Sequence, residues 1–224
     1  MVARAVPIRI DRGDKPRRGF TLIEIMVVIT LIILLTTFGI SQMRNAMEKG
    51  RVTKCQDNLR QIGTALRLYK DARNRGRWPK EGGIRFLLTL HKHREITGRG
   101  ADVFICPGTS NVRNDLGPSG EIGSSYDDWE SIDSSTISYA GRDRFPISSS
   151  NESAEALASD DNEFEANHTT VTNILYADGA VVPFDIFIDG EAILMDFPEY
   201  GEPTIGLPVG PESPYEPLQS LSIH

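Results

Sequence analysis

The sequence predicts an α+β protein in which one long N-terminal helix packs on a small antiparallel sheet. Three features predict this fold. Residues 20–40 are almost wholly apolar, residues 52–69 carry apolar side chains at helical spacing, and the C-terminal half holds short β-branched runs separated by turn signals. The first half of the helix would span a membrane and the second half would join the globular head.

Residues 20–40 form a 21-residue apolar segment with one charged residue, Glu24. A helix of this length is about 31 Å long, which is enough to cross the roughly 30 Å hydrocarbon core. The basic residues that precede it predict a cytoplasmic N-terminus and a head on the outer side. Because a carboxylate at membrane depth is costly and usually functional, Glu24 requires a functional explanation.

The net charge of −7 is unevenly distributed along the chain. Residues 1–19 hold six basic and two acidic residues, residues 41–80 hold eleven and three, and residues 81–224 hold seven and 25. This asymmetry indicates a basic stem beside a membrane and an acidic head. The stem could be a solvated helix face or a nucleic-acid surface. Its position between a membrane segment and an acidic head favours the solvated face, so we expect no nucleic-acid partner.

The membrane helix is expected to continue into the head. Its apolar positions recur at intervals of three and four residues: Val52, Cys55, Leu59, Ile62, Leu66 and Tyr69. This stripe predicts packing against the sheet, with a coiled-coil partner as the weaker alternative because the run holds few heptads. Asn74-Arg75-Gly76 should end the helix, and Trp78 should pack against it.

Five segments are predicted along the chain: a leader (1–19), a membrane helix (20–40), an amphipathic stem (41–75), a head (76–197) and a Pro-rich acidic tail (198–224). Within the head we expect a helix over 82–90 and strands over 103–106, 136–140, 170–177 and 180–184. Residues 108–135 should form an irregular loop and residues 148–165 a mobile acidic loop. The tail should be flexible or form an extended strap.

The N-terminal residues Arg17-Arg18-Gly19-Phe20-Thr21-Leu22-Ile23-Glu24, followed by the apolar run, closely resemble the signature of type IV pilins and type II secretion pseudopilins. The resemblance implies that a prepilin peptidase cleaves after Gly19 and that Phe20 becomes the N-methylated N-terminus. It also implies that Glu24 pairs with the N-terminal amine of a neighbouring subunit during assembly. This chain has Ser41 where these proteins often have proline.

A second resemblance covers residues 17 to about 182. Cys55-Gln56-Asp57-Asn58-Leu59-Arg60-Gln61-Ile62-Gly63 is similar to a stretch of a large bacterial prepilin-like family that is abundant in Planctomycetes and has no known function. Family members also tend to carry Phe-x-Cys-Pro, Tyr-Ala-Gly and His-x9-Asp-Gly motifs. Here these correspond to Phe104–Pro107, Tyr139–Gly141, and His168 with Asp178-Gly179. The long acidic tail departs from this pattern.

Several residues are candidates for chemistry. Cys55 and Cys106 could form one disulfide or remain two buried thiols. His168 and Asp178 could act as ligands or as an acid–base pair, although a turn-shaping Asp178 and a His168 bonded to a carbonyl would be purely structural. His91 and His93 lack a zinc-ligand pattern, so no metal site is predicted.

Acidic residues of the head could bind Ca²⁺, which major pseudopilins of type II secretion bind in a C-terminal loop. The candidates are Asp127, Asp128, Glu130 and Asp133, or Asp160, Asp161 and Glu163. No EF-hand spacing is present, so a solvated acidic loop is the alternative, and no cofactor is otherwise expected.

The leading functional hypothesis is a structural subunit of a type II secretion pseudopilus or type IV pilus-like filament. Its expected partners are the inner membrane, other pilin-like subunits, prepilin peptidase and an assembly machinery, with the head in the periplasm. A membrane-tethered binding protein that never polymerises is the alternative. No nucleophile elbow, P-loop or dinucleotide motif occurs, so we expect no enzymatic activity.

Overall fold

The computed structural model describes residues 19–109, 126, 128–144, 146–147, 150–160, 167–188, 191–192, 194–195, 204–205 and 209–223. Two compact units divide the chain at residues 44 and 45. Helix α1, Leu22–Leu68, begins in the first unit and ends in the second. The predicted α+β architecture, with a long N-terminal helix and a small antiparallel sheet, is confirmed.

The described part of the first unit is the N-terminal portion of α1. Side chains 22–37 of this portion are exposed, although all but Glu24 and three threonines are apolar. The helix is long and apolar enough to cross a membrane. Its backbone donors and acceptors are satisfied within the helix, which is the condition for crossing hydrocarbon.

The second unit is built on the C-terminal portion of α1. The predicted stripe is confirmed, because Cys55, Leu59, Ile62, Leu66 and Tyr69 are all buried in the core. A short π-helix, Tyr69–Arg73, follows α1. The chain then leaves the helix through two residues with positive φ, Arg75 and Gly76.

The main sheet has five antiparallel strands in the order β4-β3-β2-β1-β9. The strands are β1 Ala140–Arg142, β2 Ala156–Ser159, β3 Val171–Tyr176, β4 Val181–Asp185 and β9 Leu221–Ser222. Two small pairs lie outside it, β5 Phe187–Ile188 with β6 Glu191–Ala192, and β7 Leu194–Met195 with β8 Thr204–Ile205. The remaining helices are α2 Ile84–Lys92 and 3-10 helices Gly98–Phe104, Glu152–Ala154 and Glu216–Ser220.

The local predictions held where periodicity or turn chemistry was clear. Helix α2 and the β3–β4 hairpin lie within about two residues of the predicted bounds. Trp78 packs against the core and donates from Nε1 to a Glu152 carboxylate oxygen at 2.8 Å.

Three predictions were wrong. Residues 103–106 are not a strand, because the 3-10 helix Gly98–Phe104 includes the first two of them and the other two are in no strand. The strand predicted over 136–140 begins only at Ala140. The acidic segment 148–165 contains β2, whose four residues are buried between β1 and β3; residues 148–149 and 161–165 of it lie outside the described residues.

The end of the chain is not a flexible tail. Residues 216–220 form a 3-10 helix, and β9 pairs with β1 at Gly141 and Arg142. Leu218, Leu221 and Ile223 are buried in the core. The chain terminus therefore supplies an edge strand of the sheet.

Candidate functional site

The predicted cleavage site lies at the start of α1. Phe20 is 84% exposed, and a Cβ added to Gly19 would meet no atom within 4 Å. Leu22 begins the helix directly after Thr21. The residues on both sides of the Gly19–Phe20 bond are therefore exposed.

Glu24 and Thr21 form a reciprocal cap at the first turn of α1. The Glu24 carboxylate accepts hydrogen bonds from the Thr21 backbone N–H and hydroxyl, both at 2.8 Å. The Glu24 backbone N–H donates to the Thr21 hydroxyl at 3.3 Å. This is the capping box, whose Thr-x-x-Glu spacing is visible in the sequence. The cap fixes the carboxylate beside Thr21, the residue that follows Phe20.

A second group of functional side chains lies in the core of the head. The ligand atoms of Cys55, Cys106 and His168 all lie within 4.8 Å of one another, and all three residues are buried. Cys106 Sγ is 3.3 Å from His168 Nε2. Cys55 Sγ is 3.3 Å from the hydroxyl of Tyr139, which also accepts a hydrogen bond from Asn58 Nδ2 at 3.3 Å. We call Cys55, Cys106 and His168 the Cys-His cluster.

Two carboxylates hold the imidazole of His168. Its Nδ1 is 3.2 Å from Glu48 Oε1, an atom that also accepts a hydrogen bond from the Thr169 backbone N–H at 3.1 Å. Its Nε2 is 3.4 Å from Asp160 Oδ2. Asp160 is itself fixed by Asn173, whose backbone N–H donates to Oδ1 at 2.7 Å and whose side-chain amide donates to Oδ2.

These contacts shift the ionisation of the cluster. Hydrogen bonds from Cys55 and His168 outweigh burial and lower the pKa of the Cys106 thiol to about 5. Burial lowers the pKa of His168, but its hydrogen bond to Cys106 and the charges of Asp160, Cys106 and Glu48 raise it to about 9. Both shifts favour the charged forms, a Cys106 thiolate beside a His168 imidazolium.

The other two acidic groups are shifted toward their neutral forms. Burial raises the pKa of Cys55 well above its ordinary range, and the hydrogen bond to Cys106 adds to this effect. Burial also raises the pKa of Asp160 to about 6. Two thiolates and a carboxylate cannot share a dry site without a compensating cation.

Four separate chain segments deliver these residues. Cys55 lies on α1, Cys106 follows the Gly98–Phe104 helix, Tyr139 precedes β1 and His168 precedes β3. Gly108 allows the closest approach, because a Cβ there would lie 2.1 Å from the Asn167 carbonyl oxygen. Thus the cysteine helix and the Phe-x-Cys-Pro, Tyr-Ala-Gly and His motifs converge on one buried site.

His168 and Asp178 are not brought together, because they lie at opposite ends of strand β3. Asp178 shapes the turn, since its Oδ1 accepts a hydrogen bond from the Ala180 N–H at 2.8 Å. Gly179 has φ of 85° and contacts the Arg67 guanidinium, which donates two hydrogen bonds to the Ala177 carbonyl oxygen at 3.0 and 3.2 Å. Asp178 therefore shapes the turn, as the structural alternative predicted. The predicted bond from His168 to a carbonyl is wrong, because its ring nitrogens face Glu48, Cys106 and Asp160.

Residues 168–177 contact α1 at three points. His168 contacts Glu48, Asn173 Oδ1 accepts from Gln56 Nε2 at 2.8 Å, and Ala177 contacts Arg67. The three contacts follow one another in the same order along β3 and its flanking residues as along α1. The motif therefore ties both ends of one strand to one helix.

The Cys-His cluster supports more than one kind of chemistry. Cys106, His168 and Glu48 stand in the order nucleophile, base and carboxylate of a cysteine hydrolase. Cys106 is only 1% exposed, so a substrate could reach it only if the head opened. Both cysteines are free in this structure, and their proximity also permits the predicted disulfide. The two thiols and the imidazole could instead hold a metal ion.

Sequence reasoning missed Glu48, Tyr139, Asn58 and Asn173 as members of this site. Asp160 was considered as a calcium ligand on an exposed loop, but it is completely buried beside His168. Asp127, Asp161 and Glu163 lie outside the described residues. Asp128 and Asp133 accept hydrogen bonds from the backbone of their own loop, from Glu130 and Ser135.

Comparison with known proteins bears on the N-terminal site. Residues 14–40 match the model of the prokaryotic N-terminal methylation motif. The chain carries a prepilin-type processing motif. This pilin-like segment contains Gly19, Phe20 and Glu24, and it ends within α1. No curated protein and no solved structure matches the chain.

Proposed function

We propose that this protein is a structural subunit of a type II secretion pseudopilus or a type IV pilus-like filament. Prepilin peptidase cleaves after Gly19, and Phe20 becomes the methylated N-terminus. The mature chain crosses the inner membrane once, with its head in the periplasm. The assembly machinery then transfers it into a filament of its own copies or of related subunits.

The observation that carries this proposal is the methylation motif on a helix with a fully exposed apolar surface. The side chains of residues 22–37 are uncovered around the whole circumference of α1. Lipid would cover them before assembly, and helices of neighbouring subunits would cover them within a filament. Lipid and neighbouring helices would both bury the apolar side chains of α1, so the helix would not need to refold when it enters a filament.

Glu24 supplies the specific contact in this scheme. Its carboxylate is held at the first helical turn by Thr21, four residues from the amine that cleavage would create on Phe20. A buried lone charge is strongly unfavourable, whereas a hydrogen-bonded pair is tolerated. Pairing Glu24 with the amine of a neighbouring subunit would therefore fix the axial register of adjacent helices.

Glu24→Gln tests the pairing without removing the cap, because glutamine serves equally at this capping-box position. We expect the variant to be cleaved and inserted normally but to form no filaments under electron microscopy. Glu130→Gln is the matched control, since it removes a carboxylate from an exposed position of the head. Wild-type filament yield from Glu24→Gln would contradict the pairing. A wild-type chain that is processed yet never polymerises would support the tethered-protein alternative.

A further inference from the structure

The Cys-His cluster has the dimensions of a tetrahedral metal site. Zinc binds thiolate sulfur at about 2.3 Å and imidazole nitrogen at about 2.0–2.1 Å, so its ligand atoms stand about 3.3–3.8 Å apart. Cys106 Sγ and His168 Nε2 are separated by 3.3 Å, and the three ligand atoms of the cluster lie within 4.8 Å. Movements of less than about 1 Å would therefore place one ion in contact with all three.

A further acidic residue, Asp160, lies on the same side of the imidazole. Its Oδ2 is 3.4 Å from His168 Nε2, which is the edge length expected between two ligands of one tetrahedral ion. Asp160 is not among the three residues whose ligand atoms all lie within 4.8 Å of one another, so its carboxylate would have to move toward the sulfurs to complete the site. It is buried and accepts hydrogen bonds from Asn173 on both carboxylate oxygens.

The orientation of His168 is that of a metal ligand with a supporting carboxylate. Ligating histidines usually donate their second ring N–H to a carboxylate or carbonyl, which fixes the tautomer. Here Nδ1 faces Glu48 at 3.2 Å, and Nε2 faces the two thiols and Asp160. Glu48 is held in turn by the Thr169 backbone N–H.

The charge balance of the site also favours a dication. Cys106 and Asp160 are acidic and buried, and among the described residues His168 is the basic group in contact with both. Cys55 adds a third acidic group to the same volume. A Zn²⁺ ion bound to the two sulfurs and to His168 Nε2 would release the thiol protons and the Nε2 proton to solvent, and it would neutralise two of the three negative charges of the thiolates and Asp160.

We propose that Cys55, Cys106 and His168 bind one zinc ion, with Asp160 as the fourth ligand and Glu48 supporting the histidine. The site is closed to solvent, so the ion is structural rather than catalytic. It would fasten α1 to the loop after Phe104, to the end of β2 and to the start of β3. Because a disulfide would consume both sulfurs, the metal and the disulfide exclude each other.

X-ray absorption at the zinc edge tests the site in the wild-type protein. The reduced full-length chain in detergent is stripped with a chelator and given one equivalent of Zn²⁺. We expect two sulfur neighbours at about 2.3 Å and two nitrogen or oxygen neighbours at about 2.0–2.1 Å. A spectrum without sulfur neighbours would overturn the proposal, as would a native protein isolated with a Cys55–Cys106 disulfide.

Variants assign the ligands individually. Cys106→Ser and His168→Gln should weaken Zn²⁺ binding more than 100-fold, and Glu48→Gln should weaken it about 10–100-fold, as supporting residues do. His93→Gln, at an exposed histidine outside the cluster, should bind like the wild type. Equal affinity in all four variants would show adventitious binding and overturn the assignment. Because a variant could fail to fold, the zinc-edge spectrum of the wild-type protein tests sulfur ligation without any substitution.

Discussion

At the scale of single residues, the head depends on close approaches that only small side chains permit. Gly108 faces the Asn167 carbonyl oxygen and the ring of His168, and a Cβ there would stand 2.1 Å from the oxygen and 2.8 Å from the ring. Contacts this short force a shift of the backbone that carries His168. The geometry of the whole Cys-His cluster thus depends on a residue with no reactive group.

Gly108→Ala should therefore destabilise the head by about 1–3 kcal/mol, the usual cost of overpacking. Thermal unfolding followed by near-ultraviolet circular dichroism would measure the change. Gly100→Ala is the matched control, because its added Cβ would make only an ordinary contact at 3.8 Å with Ile96. If both variants unfold at the wild-type temperature, Gly108 is not the constraint that the structure indicates.

The sequence predicted the residues of the N-terminal site, but it did not predict the carboxylates that contact His168. Gly19, Phe20 and Glu24 form a contiguous signature, so no knowledge of the fold was needed. Glu48 lies more than a hundred positions from His168 in the chain, and Asp160 lies about eight positions from it. Only the fold brings both carboxylates to the imidazole. An isolated acid on a basic helix carries no local signal of such a role.

At the scale of elements, the head is a helix with one strand fastened along it. The Arg67 guanidinium closes the far end of this contact by donating two hydrogen bonds to the Ala177 carbonyl oxygen. The turn at Asp178-Gly179 is therefore held against α1 as well as by its own hydrogen bonds. Hydrogen bonds from a charged donor are worth about 1.5–3 kcal/mol each when partly buried.

Arg67→Gln should lower the free energy of unfolding by about 1.5–3 kcal/mol, because both bonds end on the same Ala177 carbonyl oxygen and count as one charged interaction. Arg60→Gln removes the same charge from the same helix, but the Arg60 guanidinium forms an exposed ion pair with Asp57 at 2.8 Å. Exposed pairs of this kind contribute about 0–1 kcal/mol. Equal unfolding curves for the two variants would contradict a fastening role for Arg67.

Elements with local signals were predictable, and elements defined by distant pairing were not. The α1 stripe, α2 and the β3–β4 hairpin each carry their own periodicity or turn. In contrast, β2 consists of Ala156-Leu157-Ala158-Ser159, whose four residues are all buried, so it lacks the alternation of apolar and polar side chains that marks a half-buried strand. Acidic residues around it made the segment resemble a loop.

At the scale of the whole molecule, the end of the chain completes the sheet that begins about eighty residues earlier. Strand β9 pairs with β1 through Leu221 and Ser222, opposite Arg142 and Gly141. The composition did not indicate that β9 pairs with β1, because the Pro-rich segment before β9 is typical of a linker. The apolar residues Leu218, Leu221 and Ile223 are the only sequence signal, and they are spaced too loosely to predict a strand.

Leu221→Ala should destabilise the head by about 2–5 kcal/mol, as expected for a leucine truncated in a packed core. Leu221 is 1% exposed, whereas Leu68 at the end of α1 is 58% exposed and serves as the matched control. Leu68→Ala should change the stability by about 0.5 kcal/mol or less. A Leu221→Ala variant as stable as the control would mean that β9 is dispensable.

Processing of the chain as a prepilin, by cleavage between Gly19 and Phe20, can be read from the mature N-terminus. Mass spectrometry of protein purified from its native membrane measures it. We expect a chain that begins with N-methylated Phe20. A chain that begins at Met1, or after Ile40 as removal of a conventional signal peptide would leave it, would show that prepilin processing does not occur.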